Sequence, residues 1–486
     1  MINKMISSVG VGATSAGGTG TLYIDKTDDN YGIGEGLTFH VDAEDNIALG
    51  ENALNSTTGA ALKNIGIGTD ALTAVNTGDE NVAIGYQAGA ALLTGESNVA
   101  IGFKALDVAT TALNNTAIGK NVMGAVPASV ALDGCVAVGD GALLGAAGTT
   151  TAANYTVAIG TSALTALTSG AKNTAIGYQA LTAADSGSEN TVIGYQAMDA
   201  SGLGVTTPAN ANVVIGVDAM GAVDEGDNNR AAASNIAIGK NALTGGILAA
   251  SKDLTSNIAI GQNALAGTGT ASSYYQIAIG HDSLNAIAGG ERNLAIGYQA
   301  LKTANGNEDD NVAIGYHALR LLEGDASDNN TAIGSYAMSA ITDATVTDCV
   351  AIGYNALIGA ATTSGDGTVA IGSSALTALT TGVKNTAIGF QSMLTTQSGG
   401  NNTVVGYNAG YRVNTGSLYN TVLGSEAFDG NHNGTNEANY CVAIGYHALR
   451  GDLDNLAQGA IAIGGNALMA LTTGVGNIAI GYNAGT

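Results

Sequence analysis

Apolar and polar positions alternate in a short phrase that returns twenty-four times along the chain, best written N-[TVI]-A-I-G-[YF]-x-A-L. It reads Asn81-Val82-Ala83-Ile84-Gly85-Tyr86-Gln87-Ala88 in one copy and Asn173-Thr174-Ala175-Ile176-Gly177-Tyr178-Gln179-Ala180-Leu181 in another. Before the glycine stand four slots: asparagine (seventeen copies), branched (Val, Ile or Thr, with Leu294 the exception), nearly always alanine, and isoleucine (twenty copies). Branched residues at alternate positions predict a short strand with one apolar face. The other face carries Ala and Asn, so the strand reads as buried on both sides. The branched face is expected to line the coil's own core. The Ala and Asn face is then expected to meet a second coil at close range, most simply around a three-fold axis, although a dimer also satisfies this argument. A bulky residue at Ala175 or Ala387 is accordingly expected to weaken assembly.

After the glycine the pattern predicts a turn and a second short strand, with Ala in the third position of twenty-one copies and usually Leu or Met in the fourth. A loop of Thr, Ser, Gly, Asp and Asn then closes the coil. Successive glycines are 17 to 23 residues apart, with all length variation in that loop, where Pro127 and Pro208 also fall. A fixed minimum with variable additions is what a solenoid leaves in a sequence, one rung per repeat. The fold expected is all-β: a parallel β-solenoid of about 24 short rungs, roughly 115 Å long at the usual strand spacing. Residues 46–486 form the repeat domain. Residues 1–45 lack the phrase and read as an N-terminal cap or attachment segment.

Composition narrows the partners. The chain has 486 residues, 72 Gly and 2 Pro, and its formal charge is −24 with only 15 Lys and Arg. Nucleic acid and anionic membrane surfaces both need basic groups, so neither is expected. The acids sit between phrases, as in Gly306-Asn307-Glu308-Asp309-Asp310-Asn311, and read as a solvated, self-repelling surface. No apolar run approaches the ~18 residues of a membrane span and no secretory leader is recognised, so no membrane insertion is expected.

Candidate chemistry is sparse. Glycoside hydrolysis needs two paired carboxylates, and no rung position pairs them. His40, His281, His317, His432 and His447 include two copies of one Tyr-His-Ala-Leu-Arg phrase, at His317 and His447. No nucleophile elbow, zinc spacing or Walker loop occurs, and the Gly10–Gly20 stretch lacks the following G-K-[ST]. The chain is not expected to be an enzyme. The acidic loop from Asp325 to Asn330 offers oxygens to calcium, but neither the EF-hand order nor a G-G-x-G-x-D repeat is present. No cofactor is expected, and specific calcium is the minor reading.

Two columns of side chains remain. The asparagine slot, including Asn81, Asn98, Asn173, Asn385 and Asn477, predicts an amide ladder between rungs. Cys135, Cys349 and Cys441 occupy the same slot many rungs apart, so they read as small, buried, reduced replacements for Asn. The aromatic slot after the glycine holds Tyr178, Tyr195, Tyr298, Tyr316 and Tyr446, among others. Stacking along the coil is the expected role; an exposed track for host sugars is the alternative.

The rungs are copied in blocks: Gly160-Thr-Ser-Ala-Leu-Thr-Ala-Leu-Thr-Ser-Gly170 recurs from Gly372 to Gly382 as Gly-Ser-Ser-Ala-Leu-Thr-Ala-Leu-Thr-Thr-Gly. The Asn-x-x-Ala-Ile-Gly phrase resembles the head repeats of trimeric autotransporter adhesins. Its Asn-Thr-Ala-Ile-Gly-Tyr versions are similar to repeats of phage tail-fibre proteins. The resemblance covers residues 46–486 and implies a left-handed parallel β-roll assembled as a homotrimeric rod. The leader, stalk and membrane barrel of the adhesins are not recognised here. The expected function is therefore a structural fibre of a phage particle that contributes to attachment through a host glycan or protein receptor. The expected location is the virion, extracellular after lysis. Residues 1–45 are expected to dock on a virion attachment protein, and the C-terminal edge to be distal and covered. The alternative is a bacterial cell-surface adhesin or an extracellular filament subunit.

Overall fold

The computed structural model describes residues 39–41 and 45–486 apart from short loop stretches. These are 57–60, 126–131, 146–152, 168, 183–185, 200–208, 222–231, 245–253, 268–272, 288–289, 305–307, 323–326, 342–345, 360–364, 413–415, 431–437 and 453–457. Both prolines, His432, the glycine stretch and all but four residues of the segment 1–45 lie outside the described residues, and so does Asp325. The chain forms two compact units, Met1–Ser234 and Asn235–Thr486.

Each unit is a parallel β-solenoid, and no helix occurs among the described residues. In the first unit ten three-residue strands, from Ile47–Leu49 to Val213–Ile215, stack in parallel register. Like slots pair with like: Val82 with Val99, Ala83 with Ala100, Ile84 with Ile101. The second unit repeats this with fourteen strands, from Ile236–Ile238 to Ile478–Ile480. The first of the ten also accepts an antiparallel strand, Phe39–Val41, on its free edge. Pairing there satisfies backbone groups that an open edge would leave exposed.

The structure exchanges the expected faces. The Ala and Asn slots point into the coil: Ala83, Ala100, Asn81 and Asn98 are all buried, while the branched and isoleucine slots on either side are half-buried and face outward. The interior is narrow. Leu or Met four residues after the glycine enters it from the opposite side and is fully buried, as at Leu72, Leu106 and Met123. A Cβ on Gly66, in the alanine slot, would stand 3.2 Å from Leu54 Cγ; one on Gly89, in the leucine slot, would stand 2.9 Å from Leu72 Cδ2. Small residues fill the alanine slot in most rungs, and Val192, Val214, Val404 and Val422 fill it in four, each buried. Each buried Leu contributes about 1.5–3 kcal/mol.

The second expected strand is absent. The four residues after the glycine form a turn in which the second and fourth are left-handed, as in Gln87 (φ 54) and Leu72 (φ 52). Such conformations are uncommon away from glycine and cost of order 1 kcal/mol each. The turn survives because each left-handed N–H bonds a neighbouring rung: Gln87 N–H donates to Thr69 O at 3.0 Å, and Leu72 N–H to Ala88 O at 3.0 Å. A regular strand would carry its third and fourth side chains to opposite faces. The left-handed turn sends both inward, so Ala88 and Leu72 are each buried. Two-residue pairings occur further along the loops of the second unit, for example Ala286–Ile287 with Thr303–Ala304.

Candidate functional site: the polar ladders and the aromatic column

The amide ladder is built as its chemistry demands. The Asn81 Oδ1 accepts from the Asn98 N–H at 3.1 Å and the Asn98 Nδ2 at 2.9 Å, while Asn98 Nδ2 also donates to Ala112 O at 2.7 Å. One side chain thus joins two rungs and closes its own loop. Asn173 and Asn385 donate to the carbonyls of Gly187 and Gly399 and accept from Asn190 and Asn402. Asn477 stands outside the ladder. Its upper neighbour in the slot is Ala460, which offers no acceptor, and its Nδ2 donates to Gly474 O within its own rung.

Removing one amide leaves a buried group unpaired. In Asn98→Ala the Asn115 N–H loses its acceptor, while the Ala112 carbonyl loses its side-chain donor and keeps the Glu96 N–H. The unpaired Asn115 N–H costs about 1–3 kcal/mol. Thermal unfolding of the variant is expected to start at clearly lower temperature, with faster amide exchange at residues 98–115; unchanged exchange there would show the ladder to be dispensable.

All three cysteines are free and buried. Each backbone N–H donates to the asparagine of the preceding rung, Cys135 to Asn115 Oδ1 at 2.9 Å. The thiols of Cys135 and Cys349 replace the Asn Nδ2, donating to Ala153 O at 3.1 Å and to Gly365 O at 2.9 Å. Burial pushes the Cys135 thiol up to about 11 and the Cys349 thiol up to about 12, so both are thiols at neutral pH. Maleimide labelling of the native protein at pH 7 is expected to be negligible and to reach three per chain after denaturation. Because the unfolded chain gives up these protons first, stability falls as pH rises from about 9. Fast native labelling would show that this slot faces solvent.

A second set of cross-rung bonds lies two residues before the asparagine slot in those rungs that carry Asp or Asn there. Asp79 Oδ1 accepts from the Leu62 N–H at 2.7 Å, Asn154 Oδ1 from Asp133 at 2.9 Å, Asp309 Oδ1 from Glu291 at 2.6 Å and Asp328 Oδ1 from Asp309 at 2.8 Å. Several loop acids that read as solvated surface are therefore cross-rung acceptors. The signal was in the sequence: Asp or Asn recurs at a fixed distance from the slot, close against loops that vary in length. Beside this column Arg292 grips Asp310 through Nε at 2.7 Å and Nη2 at 3.0 Å, and holds its carboxyl below the usual range. Both groups are exposed, so the pair adds little stability.

The aromatic column is stacked and half-exposed. Tyr178 and Tyr195 lie 5.3 Å apart in the first unit; in the second, His281, Tyr298 and Tyr316 continue at 5.4 and 5.3 Å. Tyr446 stacks on His447 of its own rung, at 3.6 Å. The His447 Nε2 in turn meets Glu426 Oε2 at 2.9 Å. The His317 ring is held between Tyr316 and Tyr336, and burial together with Arg320 and Lys302 lowers its pKa. Among the described residues no group of three or more His, Cys, Asp or Glu is arranged to hold a metal ion. No protein-family model matches the chain, and no curated protein matches it.

Proposed function

We propose that the chain is a structural fibre protein of a phage particle, assembled as a homotrimer and contributing to host-surface attachment. The observation that carries the reading is the outward column of branched and isoleucine slots. Ile118, Ile159 and Ile333 are each at least 36% exposed and Leu423 is 50% exposed, and the column repeats in every rung of each unit. An apolar strip of that extent is larger than monomers leave to water. Its in-register repeat suits association with identical coils in parallel, each rung meeting its own kind. The resemblance of the Asn-Thr-Ala-Ile-Gly-Tyr copies to tail-fibre repeats supports the particle, and supports a left-handed coil with one rung per phrase.

The physical role follows from the ladders. Backbone pairing ties each rung to the next, and the amide column and the carboxylate acceptors add to it where they occur, so each coil resists being pulled apart along its axis. Residues 1–45 are assigned to docking on the particle. Native mass spectrometry is expected to give three copies; a folded monomer with the strip exposed would defeat the assembly. Antibodies against the chain are expected to decorate purified phage particles and block adsorption. Decoration of bacterial surfaces in uninfected cells would instead favour a cellular adhesin.

A further inference from the structure

From His281 to Tyr482 in the second unit the aromatic column is interrupted only by small residues, Ser335, Ser373, Ser425 and Gly465. Three of the gaps are closed by neighbours. Tyr336 lies edge-on to Tyr316 at 5.3 Å and to Tyr354 at 6.4 Å, beside Ser335. Glu426, His447 and Arg450 form an ionic group beside Ser425. The Tyr482 ring leans against Gly465, where an added Cβ would stand 3.2 Å from its Cδ2.

The gap at Ser373 has two aromatic walls and a polar floor. Phe390 stacks on Tyr407 at 5.4 Å with planes 11° apart, so its ring lies across the column and its other face turns toward Ser373. Tyr354 forms the opposite wall and lies perpendicular to Tyr336, with ring centroids 6.4 Å apart. It is 54% exposed, against 42% for Tyr298, which is stacked on both faces. The floor is made by Ser373 with Asn355, Ser374 and Gln391 in the adjoining left-handed positions. No hydrogen bond joins these four side chains to another described residue. In some other rungs the same positions are paired, as Asn263 with Asp282 and Gln299 with Asp282.

Dimensions and chemistry select the occupant. With rungs about 4.8 Å apart, walls separated by one intervening rung stand about 9.6 Å apart. A flat ring centred between them would lie about 4.8 Å from each wall, beyond the roughly 3.5–4.0 Å of carbon contact. A chair-form sugar ring is thicker, because axial C–H bonds project from both faces toward the electron-rich rings. Its hydroxyls then reach the floor, where serine and amide groups both donate and accept. The floor carries no charge and the chain carries −24, which disfavours acidic saccharides. We propose that the slot between Tyr354 and Phe390 binds a pyranose ring of a neutral saccharide. This deepens the attachment reading and rests on it only for where the saccharide comes from.

The test applies the full chain to arrays of neutral gluco-, galacto- and manno-oligosaccharides, with uronic-acid oligosaccharides as the acidic comparison. Retention of at least one neutral oligosaccharide is expected, with the acidic set unbound. Ser373→Tyr fills the slot with a residue the column already carries elsewhere, so the fold is expected to persist and binding to vanish. Phe390→Ala removes one wall and is expected to weaken binding about tenfold; it carries the test if Ser373→Tyr fails to fold. No retained neutral saccharide, retention of acidic ones alone, wild-type binding by the folded variants, or loss of oligomeric state in Phe390→Ala would each overturn the slot. Saccharide binding and adhesion to host cells that both survive in Ser373→Tyr overturn the slot while leaving the attachment reading intact. Saccharide binding without any cell adhesion would leave the slot standing and remove the attachment reading.

Discussion

Gly389→Ala is expected to disrupt the second unit more than any loop substitution, lowering stability by about 4 kcal/mol or more. The glycine has φ 137, a region closed to side chains, and an added Cβ would run into the carbonyl oxygen of Gly406 and stand 2.6 Å from its carbon. That carbonyl belongs to the next rung's own glycine, whose N–H is held by Ile388 O at 2.8 Å. It cannot withdraw without opening the sheet. Gly465→Ala is the matched comparison, since its added Cβ would meet only the edge of the Tyr482 ring, a side chain that can turn aside. Circular dichroism on heating, with amide exchange at residues 386–406, reads both variants. Equal, small losses would mean that the glycine column is not set by its close contact.

Ala387→Leu is expected to unfold the coil at lower temperature at every protein concentration, by about 1–3 kcal/mol and more if the rung cannot widen. Ala387 is fully buried beneath the leucine column. Its neighbour Ile388 faces outward, half-buried. Ile388→Asp is expected to leave the coil's spectrum and exchange pattern intact while weakening association, seen as a concentration-dependent loss of mass in light scattering. Ala175→Leu and Ile176→Asp should divide in the same way in the first unit. If Ala387→Leu altered association alone, the alanine column would have to lie between chains. The opposite assignment of faces would then be restored.

The amino-acid pattern by itself determined where each strand lies, that glycine must follow it, that variable loops close the coil, and that Asn81, Asn98, Asn173 and Asn385 join rungs through their amides. Burial of Cys135, Cys349 and Cys441 was also legible, because their slot is closed whichever face turns inward. Alternation shows which side chains share a face and is silent about which face is inside. Only the tertiary structure decided that, by bringing Leu72 and its equivalents into the interior opposite the alanine slot, where Val192, Val214, Val404 and Val422 are buried too. It also decided that a left-handed turn replaces the second strand. Local preference disfavours Leu at φ near 52, and only bonds between rungs stabilise it there. The carboxylate acceptors of the loops and the open slot at Ser373 depend likewise on residues a full rung apart, and that proximity exists only once the coil has closed.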